Sequence, residues 1–253
     1  MTVSFLLLLA GAAAGALNAI GGGGTFVALP ALVAAGMPPV TANAVARIAL
    51  APGAVASAWV VRRELTPVGR TSTKALTAVS VIGSGVGAGL VLVLPASSFD
   101  AAAPWLLAFA TVTLASGRHV SRAMSRVLGR SVRMSSRAVL IAQFFLAVYG
   151  GYFGGAVGIL TVALWSIGLA LDTAVSNPMR ITQLAAIFLS SSVLFLIASD
   201  ALRAPLLLAA MVVGAVAGGF AGAYLARRFP AWLLRGVLLA TAVITTVLYF
   251  LRG

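Results

Sequence analysis

Ala19-Ile20-Gly21-Gly22-Gly23-Gly24-Thr25-Phe26 lies in the middle of an apolar run over residues 3–36. One membrane crossing takes about 20 residues, so the run is too long for a single straight span. Glycine weakens a helix by about 1 kcal/mol per residue relative to alanine, and four in a row predict a break. Unwound backbone at membrane depth is tolerated only where protein buries it or it lines a cavity. A second long run, 138–171, is interrupted by Gly150-Gly151, Gly154-Gly155 and Gly158. The fold turns on these two runs. Each either crosses once as a broken helix or folds back as a hairpin.

Around them the chain of 253 residues is 61% apolar by type and only 8% charged. A soluble domain carries about 25% charged residues. The composition excludes a cytosolic domain, a disordered chain and a collagen-like fibre. It implies an all-α polytopic membrane protein. Six further spans are expected at roughly 40–61, 75–95, 103–118, 176–198, 204–226 and 232–251. Cysteine is absent, which removes disulfides, thiolate metal sites and a Cys nucleophile. The net charge is +13, from 17 Lys+Arg against 4 Asp+Glu. A nucleic-acid partner is not expected. The basic residues flank apolar runs, as the positive-inside rule places them, and no aromatic residues interleave with them as a stacking platform. No Lys or Arg precedes Val3, so a cleaved signal peptide is not expected either.

The two halves repeat. An offset of 133 puts Gly21-Gly22 on Gly154-Gly155 and Arg47-Ile48 on Arg180-Ile181. An offset of 135 puts Gly83 on Gly218, Gly87 on Gly222 and Pro95 on Pro230. The first repeat is 1–118 and the second 138–253, each with a broken segment and three helices. A basic linker, 119–137, joins them. There Arg118, Arg122, Arg126 and Arg130 recur every four residues. This predicts an amphipathic helix on the inner leaflet, either a topology-setting linker or a lipid sensor. Loop 62–74 holds Arg62, Arg63, Arg70 and Lys74, but its partner 199–203 holds only Arg203 beside Asp200. Loop 96–103 holds only Asp100, but its partner 227–235 holds three Arg. Opposite charge bias at equivalent loops is what inverted repeats around a midplane site predict.

Only Arg47 and Arg180 fall well inside predicted spans, where an Arg costs about 2.5–3.5 kcal/mol on insertion scales. All four acids, Glu64, Asp100, Asp172 and Asp200, lie in or beside predicted loops. Each Arg either binds an anion or snorkels to its nearer interface. Asn43 and Thr41 precede Arg47; Asn177 and Ser176 precede Arg180, and Thr182 and Gln183 follow it. Such residues at a helix start act as caps, as anion ligands, or as both. The candidate binding set is Arg47, Arg180, Asn43, Asn177, Gly21, Gly22, Gly23, Gly24, Thr25, Gly154, Gly155 and Gln183. The glycines would offer backbone N–H groups to an oxyanion, or serve close helix packing. Packing suits Gly83, Gly85, Gly87, Gly89, Gly214, Gly218, Gly219 and Gly222 better. No metal site and no cofactor is expected.

The run Gly11…Gly15…Gly21-Gly22-Gly23-Gly24…Leu29-Pro30-Ala31-Leu32…Gly36, followed by Thr41-Ala42-Asn43-Ala44…Arg47, is similar to the signature of the TauE/SafE sulfite-exporter family. Tyr149-Gly150-Gly151-Tyr152-Phe153-Gly154-Gly155…Gly158 resembles that family's internal repeat. Asn177-Pro178 departs from it, since the family often continues with a small residue. The resemblance implies a multi-spanning bacterial inner-membrane permease for sulfite, an organosulfonate or a related sulfur compound. With the residues above, the expected function is a secondary transporter that exports such anions by alternating access. No ATP-binding motif occurs. An anion channel or a non-transporting membrane subunit is the alternative. An intramembrane enzyme would need a nucleophile with a base, or a metal site. The one histidine, His119, sits in the linker. Expected partners are the small anion and the lipid bilayer.

Overall fold

A computed structural model describes residues 2–127, 134–169, 171, 173–228 and 231–252. Among these residues ten α-helices follow one another: α1 Thr2–Gly21, α2 Thr25–Ala34, α3 Pro39–Val61, α4 Thr73–Val93, α5 Ala96–Val127, α6 Ser136–Tyr152, α7 Val157–Leu169, α8 Thr173–Ala198, α9 Pro205–Arg228 and α10 Ala231–Arg252. No β-strand occurs among the described residues. Six helices there are long and apolar enough to cross a membrane. Thr2–Gly21 is one of these by itself.

Both long runs break where the glycines stand. Gly22 has φ +75° and Gly154 has φ +79°, a conformation that side chains with a Cβ avoid. The chain then turns back. Gly24 lies against the Ala14 carbonyl and Asn18, inside α1. The Met134 N–H, just before α6, donates to the Gly168 carbonyl near the end of α7 at 2.8 Å. The start of α6 and the end of α7 are therefore level, and the pair is a hairpin. The two breaks meet, with Gly22 beside the Gly158 backbone.

Helix pairs follow a regular scheme. Glycines let α1 and α9 touch backbone to backbone: Gly214 rests on Leu8, Gly218 on Ala12 and Gly222 on Ala16. The same holds for α4 and α6, with Gly83 on Phe144 and Gly87 on Val148. Both pairs run parallel. By contrast, Trp105 meets Phe250 while Thr111 meets Thr246 and Ala242, so α5 and α10 run antiparallel. In α3 and α8, Arg47 meets Ser192 and Phe188, while Gly53 and Ser57 face Ile181 and Asn177 across one cavity. That pair is antiparallel too. Exchanging α1 with α6, α2 with α7, and so on to α5 with α10, maps the principal helix contacts onto themselves.

Some expectations need correction. Among the described residues a Cβ at Gly85, Gly89 or Gly219 would meet no close backbone: at Gly85 it would stand 3.7 Å from the Ser190 hydroxyl, at Gly219 3.9 Å from Gly53 Cα, and at Gly89 no other element comes within 4 Å. Residues 96–103, expected as a loop, form the first turns of α5, which starts straight after Pro95. The helix continues past residue 118 to Val127 and spans 32 residues, about 48 Å at 1.5 Å per residue. The expected linker helix is thus the end of α5 as far as Val127. Its continuation over 128–133 lies outside the described residues, as do Asp172 and Pro230.

Candidate functional site

Pro39 starts α3 and Arg47 comes two turns later, so its side chain leaves the middle of the bundle rather than an end. It is wholly buried. It does not snorkel. The guanidinium donates to the Gly150 carbonyl, near the end of α6. It lies 5.0 Å from the centre of the Phe188 ring, a cation–π distance. Gly154 presses on it so closely that a Cβ there would fall on the guanidinium carbon. Nε and Nη1 find no hydrogen-bond partner among the described residues. Asn43, one turn earlier, donates from Nδ2 to the Tyr152 carbonyl at 2.9 Å, and its Oδ1 is unpartnered there. Arg47 and Asn43 thus converge on the break between α6 and α7.

Arg180 sits in the first turns of α8 and is 6% exposed. Its Nε donates to Asn177 Oδ1 at 2.9 Å. Its guanidinium lies beside Gly158, which in turn touches Gly21 and Gly22. Arg180 lines a small void of about 20 Å³ with Asn18, Leu50 and Ser57. This void continues into a vestibule of about 380 Å³ that reaches Asn177 and Glu64. Ala19, Gly53, Ser57, Ile181 and Gly219 line both.

Not every candidate joins these two centres. Gly21 and Gly23 abut Leu238 of α10. The Gly155 carbonyl accepts from the Tyr149 hydroxyl at 3.0 Å. Gln183 is buried, but its amide turns to Thr77 of α4 at 3.0 Å and to the Met179 sulfur. Thr25 is wholly buried, and its hydroxyl has no partner among the described residues. The sequence reading missed Asn18, Phe188 and Gly150 as neighbours of the arginines. Asn18 carried a signal, as an amide three residues before Gly21 in an otherwise apolar helix.

Among the described residues neither arginine has a carboxylate beside it. Among the described residues the ion pair is Arg203–Asp200, at 2.9 Å on the exposed turn before α9. The arrangement therefore holds two buried cations, polar side chains and glycine-bounded backbone turns in one region. That combination can bind an anion.

No curated protein and no solved structure matches the chain. The profile of the sulfite exporter TauE/SafE family matches residues 7–249, nearly the full length, and the chain belongs to that family.

Proposed function

We propose that the chain is a secondary transporter that exports small sulfur-containing anions, sulfite or an organosulfonate, across a bacterial inner membrane by alternating access. One observation carries this reading: Arg47 is wholly buried, and among the described residues two of its nitrogens lack partners and no carboxylate stands beside it. A bound oxyanion would offset that charge. Arg180 with Asn177 would receive the anion from the vestibule. The turns at Gly21–Gly24 and Gly154-Gly155 would supply N–H groups, and Asn43 and Thr25 further polar contacts. Gln183, tied to Thr77, would hold α8 against α4.

The halves 1–118 and 138–253, joined by the linker 119–137, read as inverted repeats. The antiparallel pairing of α3 with α8 and of α5 with α10 supports this, because parallel repeats would leave equivalent helices parallel. The positive-inside rule then puts loops 62–74 and 227–235 in the cytoplasm. The vestibule reaches Glu64, within the first of these, so it faces inward. An inside-negative potential drives an anion outward by about 2.3 kcal/mol per charge per 100 mV. Beside Arg180 the path narrows to a void that holds about one water. That closure favours alternating access over a channel.

The test is thermal unfolding of the purified protein with sulfite, thiosulfate, sulfoacetate, sulfate or chloride. A ligand at 100 times its Kd stabilises by about 2.7 kcal/mol. A sulfur anion should stabilise the wild type and neither Arg47→Ala nor Arg180→Ala. Stabilisation that persists in both variants would overturn the site.

A further inference from the structure

After Ser4, Asn18 is the only polar side chain of α1, and it stands in the helix's last turn. Its backbone carbonyl accepts from the Gly22 N–H at 2.9 Å, and Gly24 rests against its Cβ. The glycine break therefore fixes where this side chain sits. Asn18 is 7% exposed and lines the void of about 20 Å³ together with Arg180.

The other polar groups of that void have partners. The Ser57 hydroxyl donates to the Gly53 carbonyl at 2.8 Å, and Arg180 Nε donates to Asn177 at 2.9 Å. Leu50, Ala54, Leu184 and Ala215 give it apolar walls. The Asn18 amide, by contrast, is uncommitted. Its Oδ1 is buried in the packing with no hydrogen-bond partner among the described residues. That leaves Nδ2, the other end of the amide, as the group that can donate into the void. A buried amide without partners destabilises a fold, and the matching point of the second half does without one. There the offset of 133 puts Gly151, which lies directly on the Ser84 backbone. The amide is thus an addition beside the open arginine. Its N–H and the guanidinium border room for about one water, which is also room for one oxygen atom of an anion.

Resting on the anion-export reading above, we propose that Asn18 is a further anion-binding residue and sets specificity. Asn18 and Arg180 hold one oxygen of a sulfur oxyanion in the void, the rest of the anion lies in the vestibule, and chloride is rejected. Fixed N–H directions suit an oxygen acceptor. Chloride is a larger sphere than one oxygen atom and cannot enter without widening the void.

The experiment follows the unfolding temperature of the full-length protein in detergent as sulfite or sulfoacetate is titrated at fixed ionic strength, with and without competing chloride. Asn18→Leu fills similar space without the donor. It should unfold in anion-free buffer at or above the wild-type temperature and bind both anions about tenfold more weakly, the usual loss for a hydrogen bond to a charged group. Asn18→Ala should also widen the void, so that the preference for sulfite over chloride falls about tenfold. A merely structural asparagine would lower the unfolding temperature and leave that preference unchanged. Asn18→Asp sets a carboxylate beside Arg180 and should abolish stabilisation by either anion. Wild-type affinity and preference in Asn18→Leu and Asn18→Asp, with Arg180→Ala still abolishing binding, would overturn the role of Asn18 alone. Failure of both anions to stabilise the wild type would overturn it together with the anion site.

Discussion

Arg47 and Arg180 stand 133 residues apart at matching points of α3 and α8, yet their surroundings differ. Arg47 is sealed, with Gly154 against its guanidinium and Phe188 near its face. Arg180 keeps an asparagine partner and opens through Ser57 and Gly53 to the vestibule. The same local pattern, a helix start followed by a buried Arg beside a glycine break, is thus closed once and open once. In the proposed inverted arrangement, exchanging the two environments moves access from one side of the membrane to the other. The difference would then be a feature of the transport cycle. Variants that strike one arginine's surroundings and spare the other's test it directly.

The largest effect should come from Gly154→Ala against Gly22→Ala. Both positions have positive φ, which costs a Cβ-bearing residue about 1–2 kcal/mol. At Gly22 the new methyl would meet the Gly158 backbone at 3.3 Å and Leu184 Cδ2 at 3.4 Å, contacts that a shift of a few tenths of an ångström relieves. At Gly154 it would displace the Arg47 guanidinium, whose surroundings are fully packed. Gly154→Ala should lower the unfolding free energy by about 3 kcal/mol or more, and Gly22→Ala by about 1–2. Equal losses, measured by denaturation in detergent, would break the contrast between the sealed and the open centre.

Next in size is the cost of the buried charge itself. Replacing buried charged groups by apolar ones of similar volume is often neutral or stabilising by about 1–4 kcal/mol. Arg47→Met should therefore raise the unfolding temperature in anion-free buffer, while transport is lost. Arg180→Met should change it little, because Asn177 and the void already relieve that charge. A strongly destabilised Arg47→Met would assign Arg47 a structural role through the Gly150 carbonyl instead.

The sequence carried the breaks and the two arginines because each violates an ordinary rule. Four successive glycines have no place in a helix, and Arg has almost none in a span. The neighbours were less legible. Phe188 reaches Arg47 across 141 positions and Gly150 across 103, and no periodicity encodes such a pairing. Gln183 misled for a related reason. A polar residue within one turn of Arg180 reads as a ligand, but it faces Thr77 instead. The length of α5 was hidden because hydropathy registers the bilayer, not the helix, and the helix runs on after the apolar stretch ends.

Accessibility gives a smaller but direct contrast. The chain has no cysteine, so single substitutions report alone. Ser57→Cys lines the vestibule, whereas Ser192→Cys would replace a hydroxyl that is 4% exposed and donates to the Arg47 carbonyl. A membrane-impermeant thiol reagent should modify Ser57→Cys from the cytoplasmic side at least about tenfold faster, a difference of about 1.4 kcal/mol in barrier. Faster modification from the periplasmic side would reverse the assigned orientation.

The smallest effect concerns Glu64, the one acid among the described residues that lines the vestibule. A carboxylate at the mouth of an anion path works against the field of Arg180 behind it. If entry is steered by that field, Glu64→Gln should raise the initial rate of anion uptake from the cytoplasmic side about twofold at low salt. The gain should vanish near 1 M salt, where the screening length is about 3 Å. A slower rate at every salt concentration would point the other way. Glu64 would then hold a coupled cation or proton, and the vestibule would serve two ions rather than one.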